Sequence, residues 1–307
     1  MCAIRVLTDK LRFPEGPVPL PDGSVLVVEI QGQALTRVYP DGRVEVVAEL
    51  GGGPNGAALG PDGRAYVCNN GGFHWPDPKG GALLPHGPAH DYQGGSIQAV
   101  DLSSGKVETL YTHCGEVGLK GPNDLVFDET GGFWFTDHGG HHGRSEYLGT
   151  IYYARPDGSA ISEVLFPFRH ANGIALSPDD RSLYIADSFA CRLCRYDIVS
   201  PGVLADDGPR LSGRSTHYQS PTYRVFDSIA VEASGNICIG VVAAQGGIAT
   251  VSPRGELVDF LPLPDPVVTN IAFGGPDMDK AYVTLSSTGQ LLEIDWPRPG
   301  HPPHFAG

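Results

Sequence analysis

The chain is short of charge, of cysteine and of long apolar runs. Charged residues make up 18% of 307, with 21 Lys and Arg against 35 Asp and Glu, a net charge of −14. That shortage of basic residues argues against nucleic acid or an anionic membrane as partner, because both require basic patches. No apolar run approaches the roughly 18 residues of a membrane-spanning helix. The opening stretch MCAIRVLTDKLRF lacks a basic flank and an apolar core, so no secretory signal is read there. Six cysteines are too sparse for a disulfide scaffold, and the expectation is a cytoplasmic protein with reduced thiols. Cys191 and Cys194 form a C-x-x-C, but in CRLCRYD they read as part of a strand, where positions three apart face opposite ways. Neither a G-x-S-x-G elbow nor a phosphate-binding G-x-x-x-x-G-K-[ST] loop occurs, which excludes the corresponding hydrolase and nucleotide-binding classes. No 12-residue stretch carries helical periodicity.

What the chain has instead is glycine and proline, 42 and 27 residues, well above the ordinary share of about 7% and 5%. They punctuate a repeat. PEGPVPLPDGSVLVVE (14–29), PNGAALGPDGRAYVCN (54–69), PNDLVFDETGGFWFTD (122–137), ANGIALSPDDRSLYIAD (171–187), FDSIAVEASGNICIG (226–240) and TNIAFGGPDMDKAYVT (269–284) share one pattern. A polar acid or amide leads a short apolar strand, a turn follows, and a second, more apolar strand comes next. The lead residues Glu15, Asn55, Asn123, Asn172, Asp227 and Asn270 are spaced 40, 68, 49, 55 and 43 residues apart. Such periods, with further strands fitting between the hairpins, predict an all-β six-bladed β-propeller with four antiparallel strands per blade, one domain over residues 1–307. The last blade has three strands and a Pro-rich tail, so the N-terminal strand IRVLT (4–8) is predicted to close it.

In a propeller the innermost strands line the central channel, so six lead side chains converge at one end of the axis. Two carboxylates and four amides are oxygen donors that suit a hard cation such as Ca²⁺, Mg²⁺ or Mn²⁺. Asn and Asp also cap turns at strand starts. Capping alone does not predict the same slot filled in six repeats. Nine of the 11 histidines, His74, His86, His90, His113, His138, His141, His142, His170 and His217, map to loops on the channel-mouth face. Loops 70–95 and 138–148 are long enough to act as lids or substrate walls. His138 and Trp75 are candidate substrate contacts; a structural His138 and a loop-packing Trp75 are the alternatives. His141 and His142 are candidates for a second metal.

PEGPV, GPNDLVFD, FTDHG and ANGIALSPD…LYIADS together resemble the SMP-30/gluconolactonase/LRE-like family of six-bladed propellers over essentially the whole chain. The chain is similar, more distantly, to diisopropylfluorophosphatase and the paraoxonases. The resemblance implies one catalytic divalent cation at the channel mouth, calcium first, with Mg²⁺, Mn²⁺ or Zn²⁺ as alternatives. It implies Glu15, Asn172, Asp227 and Asn123 as its ligands, Asp227 as catalytic base or nucleophile, and Asn123 and Asn55 facing substrate. The implied activity is hydrolysis of a sugar lactone by a monomer or homodimer. The alternatives are a related hydrolase of lipophilic lactones, aryl esters or organophosphates, or a non-catalytic binding propeller. Two positions depart from the family pattern. Asp227 is followed by Ser228 instead of glycine, and Gly121 stands where sugar-specific members often carry an arginine.

Overall fold

The computed structural model describes residues 3–142, 144–205 and 216–306, excepting the side chain of His142. Six antiparallel sheets stand around one axis. Blade 1 runs outward through Pro14–Pro19, Val25–Glu29, Ala34–Val38 and Val44–Glu49, and blade 2 through Pro54–Leu59, Ala65–Asn69, Ser96–Val100 and Val107–Tyr111. Blade 3 comprises Pro122–Phe127, Phe133–Asp137, Gly149–Ala154 and Ile161–Phe168. Blade 4 comprises Ala171–Leu176, Ser182–Asp187, Arg192–Ser200 and Thr216–Gln219, with Val203–Leu204 also on its third strand. Blade 5 is Val225–Val231, Ile237–Val242, Gly247–Val251 and Leu257–Pro262. Blade 6 has Val268–Gly274, Lys280–Leu285 and Gln290–Asp295, and Ile4–Thr8 supplies its outer strand, with Arg5 opposite Glu293 and Val6 opposite Leu292. The predicted closure is therefore observed. No helix of the described residues is long and apolar enough to cross a membrane.

The second strands are apolar on both faces because each lies between two neighbouring blades. Val25 and Val27 face blade 6, packing near Tyr282 and Leu291, while Leu26 and Val28 face Ala65 and Val67 of blade 2. Phe133 and Phe135 join Tyr66 and Ile97 of blade 2, while Trp134 joins Ile174 and Leu183 of blade 4. Strands covered on both faces lose the polar alternation of a half-exposed sheet. Each such fully buried side chain contributes about 1.5–3 kcal/mol of transfer free energy. The hydrophobic core is thus divided into layers between blades.

The Pro-rich tail lies across the axis. His301 donates its backbone N–H to Val231, and the Phe305 ring meets Phe127 edge-on at 6.0 Å. The buried Glu232 carboxylate holds it, accepting from Trp296 Nε1 at 2.8 Å and from Arg298 Nε at 2.7 Å. Between this tail and the lead residues is a channel cavity of about 160 Å³, lined by Val18, Ala58, Asp124, Ala175, Ala230 and Ala272 among others.

Four histidines expected in mouth loops lie in strands instead, His141 and His142 in the short strand Gly140–His142. His217 belongs to the outer strand of blade 4, its ring on Tyr184 and 3.0 Å from the Ser252 carbonyl oxygen. His113 sits in a two-residue strand paired with Val117–Gly118 beyond blade 2. The strand of His217 is half exposed, and its polar residues resemble loop sequence.

Deleting residues 1–8 uncovers the edge of Gln290–Asp295 and exposes the pocket of Leu7, which is buried. The expected result is a loss of order 3 kcal/mol in unfolding free energy and self-association on gel filtration with light scattering. A truncated protein with unchanged melting temperature and a single monodisperse peak contradicts the closing role.

Candidate active site

In five blades the inner strand breaks register at or just after its lead residue, at Glu15/Val18, Pro54/Ala57, Pro122/Leu125, Ala171/Ile174 and Phe226/Ile229, and in blade 6 just before it, at Val268/Asn270. A bulge re-aims a side chain out of the regular pleat. Here six of them turn Glu15, Asn55, Asn123, Asn172, Asp227 and Asn270 toward the axis. Hydroxyls from adjoining blades fix the backbone at this level. Thr136 Oγ1 donates to the Asn172 carbonyl at 2.6 Å, Ser188 Oγ to Phe226 at 2.8 Å, and Ser286 Oγ to Pro14 at 2.6 Å.

Glycine after the lead residue allows the inner strands to approach. A Cβ on Gly56 would lie 2.6 Å from the Asn123 carbonyl oxygen, and one on Gly173 2.6 Å from Ser228 Cα. Gly16, at φ +50°, would meet the Ala57 nitrogen at 2.8 Å.

The electrostatics are those of acids short of a counter-charge. Glu15 is buried, accepts from Asn270 Nδ2 and from the Gly16 N–H, both at 2.8 Å, and has its pKa raised by burial and by the nearby Asp227 charge. Asp227 is half-buried, and desolvation pushes its carboxyl up to about 7 although the Asn172 amide bonds to it. A third carboxylate, Asp124, is also pushed to about 7 by burial, against bonds from the Leu125 N–H and the Ser228 hydroxyl. Asp124 was not among the residues singled out from sequence. Its signal was its place beside Asn123, at a bulge that turns consecutive side chains to unexpected sides. Ser228, which follows Asp227, is thus one of the groups that hold it.

The fit to a cation rests on the amides. Asn123 Oδ1 and Asn172 Oδ1 are buried with no hydrogen-bond partner. Asn172 contacts Asp227 through its amide, and Asn123 holds the equivalent slot of blade 3. Two orphaned carbonyl oxygens in the same ring of lead positions as two crowded carboxylates have the donor chemistry of a hard divalent ion, and burying such oxygens without a partner costs about 1–3 kcal/mol each. Glu15, Asn123, Asn172 and Asp227 are therefore the residues able to hold one.

The rim is built from loops. Asp137 ties residues 120–121 to 139, accepting from the N–H groups of Lys120, Gly121 and Gly139 at 2.7–2.9 Å. A Cβ at Gly121 would stand 2.7 Å from the Gly139 carbonyl oxygen, so this slot cannot carry an arginine without moving that loop. His138 follows Asp137; its ring is 5.0 Å from His170, and burial lowers its pKa to about 3. Trp75 stacks obliquely on Phe13 at 4.8 Å, with Phe73 edge-on at 6.2 Å, and so anchors loop 70–95 to the ring beside Glu15. A larger groove of about 1000 Å³ lies off the axis across blades 3 and 4 and the turns of blade 5, and none of the six lead side chains lines it.

A family model described as SMP-30/Gluconolactonase/LRE-like region matches residues 13–287. The chain belongs to that family. Among its relatives, a lactonase drp35 of Staphylococcus saprophyticus is 28% identical over 245 residues, 79% of this chain and 67% of that protein. A lactonase drp35 of Staphylococcus aureus is 29% identical over 215 residues, 69% of this chain but only 57% of its own length. The chain thus spans little more than half to two thirds of these relatives. Among solved structures, a gluconolactonase of Xanthomonas campestris superposes with a TM-score of 0.75 at 20% identity, covering 96% of this chain and 90% of that one. A calcium-binding regucalcin of Agrobacterium tumefaciens gives 0.72 at 18% identity, covering 98% of both. These likenesses establish the family's six-bladed fold.

The raised carboxyls give a pH signature. Asp124 and Asp227 hold their protons more tightly folded than unfolded, so the stability they confer is present below about pH 4 and lost as pH rises through about 7. A cation bound only by the folded state reverses this loss. Chelator-treated protein is expected to melt lower at about pH 8 than at about pH 5.5, with added Ca²⁺ raising the melting temperature more at the higher pH. An equal calcium increment at both pH values, read by calorimetry, contradicts this assignment.

Proposed function

We propose that the protein is a metal-dependent lactonase, with Glu15, Asn123, Asn172 and Asp227 holding one divalent ion at the channel mouth. The observation that carries this reading is the pair of buried, unpartnered carbonyl oxygens of Asn123 and Asn172 in the same ring of lead positions as the carboxylates of Glu15 and Asp227. The family membership and the relatives named lactonase and gluconolactonase support the reaction class.

A bound divalent ion supplies polarisation of the lactone carbonyl and lowers the pKa of water. The chain supplies the rest. Glu15, held by Asn270 and the Gly16 N–H, is fixed and buried, which suits an anchoring ligand. Asp227 is half-buried, and its proton affinity is raised to about 7, which suits a base that takes the proton from the attacking water. As the water oxygen adds to the carbonyl carbon, the ring C–O bond breaks, and that proton passes to the departing ring oxygen. The product is the hydroxy acid. Asn123 and Asn55 line the approach, and His138, kept neutral by burial, can donate one hydrogen bond to a substrate oxygen.

A sugar lactone is the first substrate class. Gly121 favours a second, because its closed slot removes an arginine-type sugar contact and the Phe13–Phe73–Trp75 cluster offers apolar surface nearby. That second class comprises lipophilic lactones and aryl esters at the same site.

Acid release from aldonolactones, alkyl lactones and an aryl ester, with and without EDTA, tests the reading. Chelation is expected to abolish release. Asp227→Asn is expected to lower kcat/KM by about 10²–10⁴, the usual worth of a positioned base, while Glu15→Gln loses the metal. Near-normal turnover by Asp227→Asn overturns the assignment of the base. No release from any substrate with added Ca²⁺, Mg²⁺, Mn²⁺ or Zn²⁺ leaves the fold as a binding propeller.

A further inference from the structure

Beside the channel mouth, a second cluster uses different donors. His141 and Glu146 are direct cross-strand partners in the hairpin formed by Gly140–His142 and Ser145–Tyr147. Partners opposite each other in an antiparallel pair project to the same face. His170 stands just before the inner strand of blade 4, fixed by a bond from the Ser188 N–H to its carbonyl oxygen and by the edge of Phe189 at 4.6 Å. The imidazole Nε2 atoms of His170 and His141 lie 3.4 Å apart, and His170 Nε2 lies 3.3 Å from Glu146 Oε1. The three ligand atoms all fall within 4.8 Å of one another.

We propose that His141, Glu146 and His170 form a second metal site, taking a borderline ion such as Zn²⁺ in preference to calcium. Two imidazole nitrogens and one carboxylate oxygen are the donors of zinc and its transition-metal neighbours, whereas calcium takes oxygens alone. The spacing agrees. Ligands at the usual zinc distances of about 2.0–2.1 Å on a tetrahedron are separated by roughly 3.3 Å, and two of the three separations already match. A neutral His170 carries one N–H, and its Nδ1 is buried without a partner, so Nε2 meets His141 and Glu146 with at most one proton of its own. His141 is exposed and Glu146 partly so, which gives the ion a way in. Arg169 Nε is 3.5 Å from the same Glu146 oxygen, but its side chain is 71% exposed and free to swing away. The side chain of His142 lies outside the described residues and is not needed. Three protein ligands leave a coordination position for water or for an oxygen of a bound molecule. The bound ion would clamp the hairpin onto blade 4, two residues from Asn172.

The test uses untagged, chelator-stripped full-length protein, saturated with Ca²⁺ and titrated with Co²⁺, whose visible absorption reports imidazole coordination. One equivalent is expected to give a band that Zn²⁺ displaces and further Ca²⁺ does not. His141→Ala and Glu146→Gln are each expected to weaken binding at least about tenfold; both residues lie at the surface, so folding, checked by circular dichroism, is expected to be retained. Glu15→Gln is expected to keep the band, which separates this site from the channel. Absence of a band in the wild type leaves only a hydrogen-bonded histidine pair and overturns the proposal. A band unchanged in His141→Ala, or lost in Glu15→Gln, overturns it equally, since the ion would then sit elsewhere.

Discussion

Everything at the centre of this molecule depends on how closely six inner strands approach one axis. The Cβ contacts that Gly16, Gly56 and Gly173 avoid, all at 2.6–2.8 Å, are the measure of that approach. Strands this close cannot continue a flat pleat past one another, and each breaks register at or beside its lead residue. The bulges that relieve the crowding are what turn the polar side chains inward. Packing and site are therefore one construction. A larger residue at any of these glycines would widen the ring and separate the donors together.

Ring geometry also sets the electrostatics. Glu15, Asp124 and Asp227 come from blades 1, 3 and 5, far apart in sequence and alternate around the axis, yet Asp124 raises the proton affinity of both others and Asp227 that of Glu15. Among the described residues their compensation comes from amides, backbone N–H groups and the Ser228 hydroxyl, which stabilise a carboxylate but carry no charge. A protein that brings negative groups together in this way loses folding free energy unless a cation joins them. The tail side of the channel has no comparable demand, because there Glu232 already has Arg298 and Trp296.

The blades were legible because their signal is local. A lead polar residue, a turn and a doubly buried strand lie within about 16 residues each, and period and closure follow from counting. The six lead positions were legible for the same reason. Outer strands were harder. Thr216–Gln219 is half exposed and follows a long connection, so His217 read as loop. Asp124 was missed because strand alternation places it away from the channel, and only a bulge overrides that alternation. Glu146 was missed because its partner His170 is 24 positions away in another blade, a separation that no spacing rule connects.

The two candidate ion sites are separated by chemistry more than by distance. His170 and Asn172 lie on one strand start, so one shift of blade 4 moves a nitrogen donor and an oxygen donor together. Hard oxygen donors at the axis would favour calcium-like ions, and imidazoles at the rim would favour zinc-like ones. Calcium does not suit the imidazole set, so calcium at the axis would leave the rim free for a zinc-like ion. The mouth hairpin, otherwise held by the two-strand pairing of residues 140–147, would then be tied to the blade that also positions Asn172. Occupancy at the rim would reach the channel through backbone already fixed by Thr136, by a route of two residues and one hydrogen bond.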